Sequence, residues 1–481
     1  MTGPKVDIGR DLVCFVAAQA SFKTTDVAGE SYPEAADAIR VITGSAGGTI
    51  ATVPREDKFG TATAVPGILQ KRTAEGSIEA YVMPSGTITT APDVDELLTG
   101  GGWTKIDRSA TATTSGGSST RVVLDCTDSA GFEIGDAIIV ETTATSEIYE
   151  ARRIVSIFHP SDQITVEPPL TFVPATGANI KGAIGYKPSD SRDTDEEALS
   201  LWLLNNNSAD RIASWTPGSY SFTMGGDDAA KVSVSGTGRE HDRLFETFCN
   251  TGGTLNDSDV TFAVGSGLSS SGDLVNTYWL IEDEVIKVES ISGDNWTVAT
   301  RGSTGLGGGA AAHANLTQIR PYRPTGTYAG SPVPATSGQI VFAAYGASKA
   351  TELQANSSTL DCGFGLAYRE DIQGDTFKVG GYVMNQREIR ASLSGWTIRS
   401  KNMMAELRAF GAANVAGAAS QQVSVACVAG QVEGSIFGWV APRVRMEDIS
   451  LDRGSEEVTL DLTGLCEGTS SGADEILLIF A

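Results

Sequence analysis

Two segments contain residue types that could support catalysis or nucleotide binding. The segment 468–472, GTSSG, matches the GxSxG pattern in which a serine attacks an acyl group with help from a histidine base. No histidine occurs after His313, and the chain ends at Ala481, too soon for the helix that follows such a serine. The glycine-rich run 305–310 loosely matches a dinucleotide loop but lacks a βαβ unit and a downstream acid. We therefore predict turns at both places, with a last strand over 475–480.

The histidines give no further indication of catalysis. The chain contains only His159, His241 and His313, which are far apart in sequence and lie in polar segments. His241 stands between Glu240 and Asp242, which indicates a solvated charge cluster more than a base with its orienting acid. We expect that the protein is not an enzyme.

The acidic and cysteine residues do not form a recognisable metal motif. The acidic segment 190–197 alternates like a calcium loop but lacks its central glycine, so we predict a solvated connector. Thr194 and Glu197 fit a helix capping box, although the following SLWLL could equally be a strand. The six cysteines lie beside apolar runs, so we predict buried free thiols and assembly in a reducing cytoplasm. They are Cys14, Cys126, Cys249, Cys362, Cys427 and Cys466. We expect no metal and no cofactor.

Composition favours a soluble, mainly β protein of more than one domain. The chain has 481 residues, of which 41% are apolar and 55 are glycine, and short Ser/Thr clusters separate its apolar runs. The formal net charge of −24 disfavours ordinary nucleic-acid binding, because such a surface repels phosphates. No apolar run approaches the roughly 18 residues of a membrane span. The apolar run 12–18 is predicted to be a first strand and not a signal peptide.

A first internal repeat pairs residues 121–188 with 259–324. Glu150 and Glu284 precede the runs IVSI and VESI by the same distance, and both copies then turn into a Thr-Val pair. The copies finish on Tyr-Lys-Pro and Tyr-Arg-Pro. Alternation of period two predicts two small antiparallel β modules. Chance similarity between two strand-turn-strand segments is the alternative.

A second repeat relates the rest of the chain to itself. The strand 76–82 is followed by a short helix pattern at 92–102, and the strand 391–397 by one at 402–413. The closing strands are 231–236 and 457–464. The prediction is therefore two related sandwich or barrel domains with two inserted modules. Its boundaries are 1–110 and 189–250 for the first domain, 111–188 and 251–325 for the modules, and 326–481 for the second domain.

The repeated strands predict a sheet with two different faces. Ile78, Ala80, Val82 and Leu393 share one apolar face, whereas Ser77, Glu79, Ser392 and Ser394 share a small, polar and partly acidic face. An ordinary solvated sheet face is the alternative interpretation of the second set.

In the order of these segments the chain resembles the tail tube proteins of long-tailed bacteriophages. The resemblance rests on EGSIEAYV at 75–82, on GGYVMNQREIRASLSGWTI at 380–398, and on the closing order WVAPRVRMEDIS, GSEEVTLDLTGL and EILLIF. The segment 280–314 is similar to small β modules of phage tail proteins. Together these segments cover most of the chain, and the resemblance rests on their order because no single motif is diagnostic. The two large inserts depart from the family pattern.

The resemblance implies a structural virion protein that polymerises into the hollow tail tube. Family members stack rings of six equivalent domains around the DNA passage, so a chain with two domains would form a trimeric ring. Implied partners are further copies of the chain, the tape measure protein, the tail terminator and the distal tail protein. DNA would pass without specific binding, and no membrane is involved.

The resemblance also implies roles for particular residues. A long loop over 56–72 would reach the neighbouring ring, and Ser77, Glu79, Ser392 and Ser394 would face the passage. The predicted inter-ring contacts are Arg55, Glu56, Asp57, Lys58, Lys71, Arg72, Arg387 and Glu388.

Two other functions remain open at this stage. One is a distal tail or baseplate ring protein, which would form a single ring and not polymerise. The other is a β-rich carbohydrate-binding adhesin, in which tryptophans would form sugar platforms, although core packing is the simpler interpretation of each tryptophan. The candidates are Trp202, Trp215, Trp296, Trp396 and Trp439.

Overall fold

A computed structural model gives the fold of most of the chain. It describes residues 12–19, 32–53, 68–115, 118–189, 198–265, 275–299, 301–302, 306–353, 355–369, 379–383, 386–397, 422–452, 459–468 and 472–481. These residues are mainly β, as the sequence predicts, with several sheets and one short α-helix, α1 (Asp95–Thr99).

The strands fall into three groups according to the part of the sheet structure to which they belong. The first large-sheet group is β1 (Val13–Gln19), β2 (Ala38–Ile39), β3 (Val41–Val53), β4 (Ile68–Tyr81), β5 (Trp103–Ile106), β12 (Ile184–Pro188), β13 (Ala198–Leu204), β14 (Ser208–Gly225), β15 (Lys231–Gly238) and β16 (Glu240–Phe245). The second large-sheet group is β23 (Gln339–Ala344), β24 (Thr351–Leu353), β25 (Ser357–Gly363), β28 (Glu388–Thr397), β29 (Val423–Ala429), β30 (Phe437–Asp452), β31 (Thr459–Cys466) and β32 (Leu477–Phe480), with the separate hairpin β26 (Leu366–Arg369) and β27 (Val379–Val383).

The third group forms two small sheets. One contains β6 (Thr111–Thr113), β7 (Val123–Asp125), β8 (Ala137–Glu141), β9 (Tyr149–Phe158), β10 (Gln163–Glu167) and β11 (Asn179–Gly182). The other contains β17 (Thr247–Phe248), β18 (Thr261–Ala263), β19 (Tyr278–Ile281), β20 (Glu284–Ser292), β21 (Asn295–Val298) and β22 (Gln318–Pro321).

The large sheet contains two halves of one topology. The first half has the hydrogen-bonded order β3-β4-β15-β14-β13-β1-β2, and β16 also pairs with β14. The second half has the order β25-β28-β31-β30-β29-β23-β24, and β32 also pairs with β30. Each strand therefore holds the same place in chain order and in space as its counterpart.

The register of pairing agrees between the halves as well. Gly76 lies opposite Gly236 in the first half, and Ala391 lies opposite Gly464 in the second. A β-bulge interrupts β14 between Pro217 and Ser219, and another interrupts β30 at the corresponding point. The segments 76–79 and 391–394, which resemble each other in sequence, thus occupy the same strand position.

Each half is a two-layer sandwich with a core between the layers. Alternation along β1 shows the arrangement, because Cys14 and Val16 lie in the core between the layers while Phe15 belongs to a separate cluster on the far side. In the other layer, Ile78 and Ala80 of β4 face the same core. Burial of each Val, Leu or Ile side chain there contributes roughly 1.5–3 kcal/mol.

The two small sheets also share one topology. Their orders are β6-β11-β8-β9-β10-β7 and β17-β22-β19-β20-β21-β18, which are the same order when strands are counted along the chain. The bridges Thr114↔Cys126 and Cys249↔Val264 join the first and last strands of these orders, so each sheet curls into a small barrel. We call them barrel 1 (111–182) and barrel 2 (247–321). A register shift occurs at the same place in both, directly after Ile154 in β9 and directly after Val288 in β20.

Each barrel packs on the outer layer of one half. Barrel 2 covers Phe15, Trp202 and Leu204 of the first half. Barrel 1, although its chain leaves from the first half, covers the corresponding strands of the second half, where Val341 and Ala426 form an apolar cluster with Ile139 and other outward-facing barrel residues. Both barrels therefore lie on the side of the molecule opposite the exposed face of β4.

Some sequence predictions differ from the observed elements. The strand β12 was predicted within the first module, but it pairs with β5 and β32 and belongs to the large sheet. SLWLL is a strand, β13, because its residues alternate between two buried faces. The predicted helix at 402–413 and the acidic segment 190–197 lie outside the described residues. No helix among the described residues is long and apolar enough to cross a membrane.

Candidate functional site: the polar face and its two strand edges

One exposed face of the large sheet carries small polar side chains across both halves. It runs over eight strands in the order β3-β4-β15-β14-β25-β28-β31-β30, and we call it the polar face. The pleat alternates, so the residues between the polar ones point into the core. Its small polar residues include Thr43, Ser45, Ser77, Ser219, Ser221, Ser233, Ser235, Thr359, Ser392, Ser394, Thr463 and Ser450.

Cross-strand hydrogen bonds order this face. The hydroxyls of Ser45 and Ser77 lie 2.8 Å apart, and those of Ser219 and Ser235 lie 2.7 Å apart. Ser394 donates to Asp461 Oδ1 at 2.9 Å in the second half. The side chains in these pairs are short, and their hydrogen bonds hold them close to the sheet, so they do not reach far outward.

Charged residues of both signs interrupt the polar face. Arg390 contacts Glu388 and Glu447 through two ion pairs, and Arg445 lies 3.6 Å from Glu447. These pairs are exposed to solvent, so each contributes at most about 1 kcal/mol to stability. The acidic members of the face include Glu75, Glu79, Asp361, Glu388, Glu447, Asp448 and Asp461, and the basic ones include Lys231, Arg390 and Arg445.

The four residues predicted to face a passage lie on this face. Ser77 and Ser392 hold the same position in the two halves, opposite Ser235 and Thr463 respectively. Glu79 lies opposite Ser233 in the next row. The sequence therefore predicted their common face, while their exposure to a passage stays a prediction.

At the polar face the two halves join through the pair β14 with β25, and away from it β12 also pairs with β32 of the second half. The segment 219–225 of β14 pairs on one edge with β15 and on the other with β25 of the second half. In this junction Ser221 lies opposite Asp361 and donates to its Oδ1 at 2.6 Å. Phe222 lies opposite Leu360, and both are buried in the shared core.

The strands equivalent to this junction lie at the two ends of the sheet. β3 is the counterpart of β25, and within the described residues it pairs with β4 alone. β30 is the counterpart of β14, and its segment 448–452 pairs with β31 alone among the described strands. One chain thus contains one complete junction and the two separate edges of another.

The predicted inter-ring residues are only partly described. Arg55, Glu56, Asp57 and Lys58 lie outside the described residues. The expectation of a loop up to residue 72 is wrong, because the β3–β4 hairpin is longer and Lys71 and Arg72 lie in β4, with Arg72 opposite Ile50.

The second-half contact residues also differ from expectation. The side chain of Arg387 makes its contacts within its own subunit. Its guanidinium donates to the Ser189 carbonyl at 2.8 Å and pairs with Glu475 at 2.6 Å. Glu388 begins β28 and contacts Arg390 on the same strand. Their positions favour a role in joining strands over a contact with a neighbouring ring.

A buried ionic cluster in barrel 2 was missed from the sequence. His313 was expected in a solvated loop, but it is buried, with Nδ1 2.9 Å from Glu282 and Nε2 2.9 Å from Glu284. Arg301 forms a two-pronged pair with Glu284, with both N–O distances 2.6 Å. His241 is not in a loop either: it lies in strand β16, with Nε2 3.0 Å from Asp210 Oδ1.

Barrel 1 has a corresponding buried pair, and the repeat was the signal that could have revealed both. Glu150 holds the place of Glu284 and pairs with Arg152 at 2.6 Å. Two buried glutamates at equivalent places in a repeat require positive partners, because an isolated buried charge is very costly.

The predicted thiols are confirmed as buried and free. All six cysteines are buried without a disulfide. Burial raises the pKa of Cys126 and of Cys249 to about 11, which keeps both as unreactive thiols near neutral pH. No group of histidine, cysteine and carboxylate side chains suited to a metal ion occurs among the residues that the structure describes.

The chain matches no family model and no curated protein. Four of the tryptophans proposed as sugar platforms, Trp202, Trp215, Trp296 and Trp439, are each at most 1% exposed and cannot present a platform to a sugar ring. The side chain of Trp396 is not among those that the structure describes.

Proposed function

We propose that the protein is a structural virion protein that polymerises as stacked trimeric rings into the hollow tail tube of a long-tailed bacteriophage. The observation that carries the proposal is the pair of edges left at the two ends of the duplicated sheet. Because β3 and β30 are the counterparts of the two strands that join the halves at the polar face, a second copy fits each end in the same way. Such a head-to-tail contact repeats, and it closes into a ring when the rotation allows.

Ring closure would also remove an aggregation risk. An exposed strand edge presents unpaired backbone donors and acceptors and invites pairing with other chains. Pairing of β30 with β3 of the next copy would satisfy these groups around the whole ring. Three chains with two halves each would supply the six domains that the resemblance implies.

The polar face would form the inner wall of the tube. Its small hydroxyl side chains offer nothing that reads DNA bases, and the carboxylates repel phosphates. The net charge of −24 acts in the same direction. The barrels lie on the opposite side of each half and would decorate the outside. The tube would be assembled in the host cytoplasm without a cofactor, with the tape measure, tail terminator and distal tail proteins as its partners.

Electron microscopy of the purified protein, together with its mass in solution, tests the proposal. We expect hollow tubes or stacked rings with threefold symmetry and six lobes. Single rings that never stack would replace it with a distal tail or baseplate role. Absence of any oligomer across the concentrations at which tubes are sought would contradict both.

A control variant checks that the polar face is the inner wall. Replacing Ser77 and Ser235 with arginine adds positive charge there without touching either sheet edge. Assembled tubes of this variant should retain short double-stranded DNA at low salt and release it as salt rises, whereas the native tube should not. Equal retention by both would show that the polar face lies elsewhere.

A further inference from the structure

The junction inside the chain specifies how two copies of the chain would pair, residue by residue. The segments to compare are 219–225 of β14, which pairs with β25, and 448–452 of β30, which ends at an open edge. The two segments correspond through their shared pairing with β15 and β31, because Ser219 lies opposite Ser235, and Asp448 lies opposite Thr463. Both follow the bulge directly. Ser221 therefore corresponds to Ser450.

The residues of β25, on the other side of the junction, can be matched to residues of β3 in the same manner. β25 and β3 correspond through their pairing with β28 and β4, since Asp361 lies opposite Arg390, and Gly47 lies opposite Glu75. Arg390 and Glu75 hold the same position, one residue before Ala391 and Gly76. Asp361 therefore corresponds to Gly47, and by the same count Gly363 corresponds to Thr49.

We propose that β30 of one copy pairs antiparallel with β3 of the next copy, with Ser450 opposite Gly47 and Asp448 opposite Thr49. This register rests on the proposed function, because it assumes that copies join as the halves do. It reproduces the internal pairs of Ser221 with Asp361 and of Ser219 with Gly363.

The chemistry of the two edges fits this register. Thr43, Ser45, Gly47 and Thr49 are exposed on one side of β3, and Asp448 and Ser450 are exposed on β30. The alternate positions of β3 are Gly44, Ala46 and Gly48: a Cβ at Gly44 would meet Leu203 and one at Gly48 would meet His241, while Ala46 packs against the core. A slip by one residue would exchange these two sets, so the pleat restricts the register to even shifts. An added Cβ at Gly47 would meet no atom within 4 Å, so the polar-face side of this position has room for a cross-strand partner side chain.

Cysteine pairs distinguish the proposed register from shifted ones. The matched pairs are Gly47→Cys with Ser450→Cys, and Thr49→Cys with Asp448→Cys. Paired strand residues have Cα atoms about 4.5–5.5 Å apart, which suits a disulfide. The control pairs are Thr43→Cys with Ser450→Cys, and Ser45→Cys with Asp448→Cys, which lie on the same face but about 13 Å out of register. The native cysteines are buried and do not compete.

Each double variant is oxidised mildly and analysed by denaturing electrophoresis, with the native mass measured in parallel. We expect both matched pairs to cross-link into a series that ends at three chains, and neither control pair to do so. Rings that form without matched cross-links, or with cross-links only in a control pair, would overturn the register and leave the proposed function standing. A dispersed monomer that forms no cross-link would overturn both.

Discussion

At the scale of single residues, the buried ionic cluster of barrel 2 contains charges that are stable only when paired, because an isolated buried charge is very costly. Arg301 also donates to the carbonyls of Asn256 and Ala311, at 2.9 and 2.7 Å, so it ties three segments of the barrel to β20. Burial alone would raise the pKa of Glu284, but hydrogen bonds from Arg301, His313 and the Ala311 N–H outweigh burial. The pKa of Glu284 is therefore lowered from its ordinary value of 4.5.

Replacement of Glu284 by glutamine should destabilise the protein strongly. The change leaves Arg301 buried without a counter-charge, and removal of one member of a buried pair costs about 3–5 kcal/mol. The matched control is Glu282→Gln, which contacts the same histidine from an exposed side chain and should cost less than about 1 kcal/mol. Urea unfolding followed by circular dichroism measures both free energies. Equal losses in the two variants would contradict the account.

The same cluster predicts a dependence on pH. Because the folded pKa of Glu284 lies below the unfolded value, its charge stabilises the fold fully above about 4.5. That contribution is lost as the pH falls from there through the folded pKa. The difference in free energy of unfolding between the native protein and Glu284→Gln should therefore shrink in acid. A difference that stays constant from pH 7 to about pH 3 would show that charge is not the cause.

At the scale of the strands, the bulges and their facing glycines define each half. Gly236 and Gly464 hold the same place in the closing strands, opposite the bulges of β14 and β30. A Cβ at Gly236 would lie 2.4 Å from the Thr216 carbonyl oxygen, and one at Gly464 would lie 2.9 Å from that of Arg445. Backbone cannot yield as a flexible side chain can, which explains why glycine stands at both places.

Alanine at these glycines should therefore destabilise both halves. We expect a loss of about 1–3 kcal/mol for each variant, larger at Gly236 because its contact is closer. Gly225→Ala is the matched control, since it lies in β14 with no atom near its added Cβ. Urea midpoints of the three variants provide the comparison. A control that loses as much as Gly236→Ala would indicate a general intolerance of the sheet and not a steric clash.

Sequence reasoning succeeded where a strand repeats and failed where contacts are distant. The correspondence of 76–79 with 391–394 was readable because the alternation of Ile78 and Leu393 with small polar residues has a period of two. The partners of His313 could not be predicted, because Glu282 and Glu284 lie about thirty residues away in sequence and reach it only through the curl of a barrel. Lys71 and Arg72 were misplaced for a related reason. Charge suggested a loop, but strand pairing with β3 continued past them.

The packing of the barrels could not have been predicted either. Barrel 2 lies on the first half, from which its chain leaves, but barrel 1 lies on the second half although its chain also leaves from the first. The apolar residues that receive them sit at equivalent places, Phe15 and Val341 in the first strands and Trp202 and Ala426 beside them. Equivalence of the faces, and not nearness along the chain, determines where each barrel packs.

At the scale of the whole molecule, this arrangement predicts the outside of the tube. The polar face and the barrels lie on opposite sides of each sandwich, so if one lines the passage the other must face outward. The two barrels are similar in topology but differ in sequence, so an outer surface of six barrels has only threefold symmetry.

Inserted tags would show this arrangement directly. A small folded domain placed between Gly252 and Gly253, an exposed turn of barrel 2, should leave folding intact because such loop tips tolerate insertion. Averaged images of the rings should then show three added densities at the outer radius. The matched insertion between Ala144 and Thr145 of barrel 1 should add three densities at the alternate positions, and both together should add six. Density inside the channel from either tag would invert the orientation, because it would place the barrels and not the polar face around the passage.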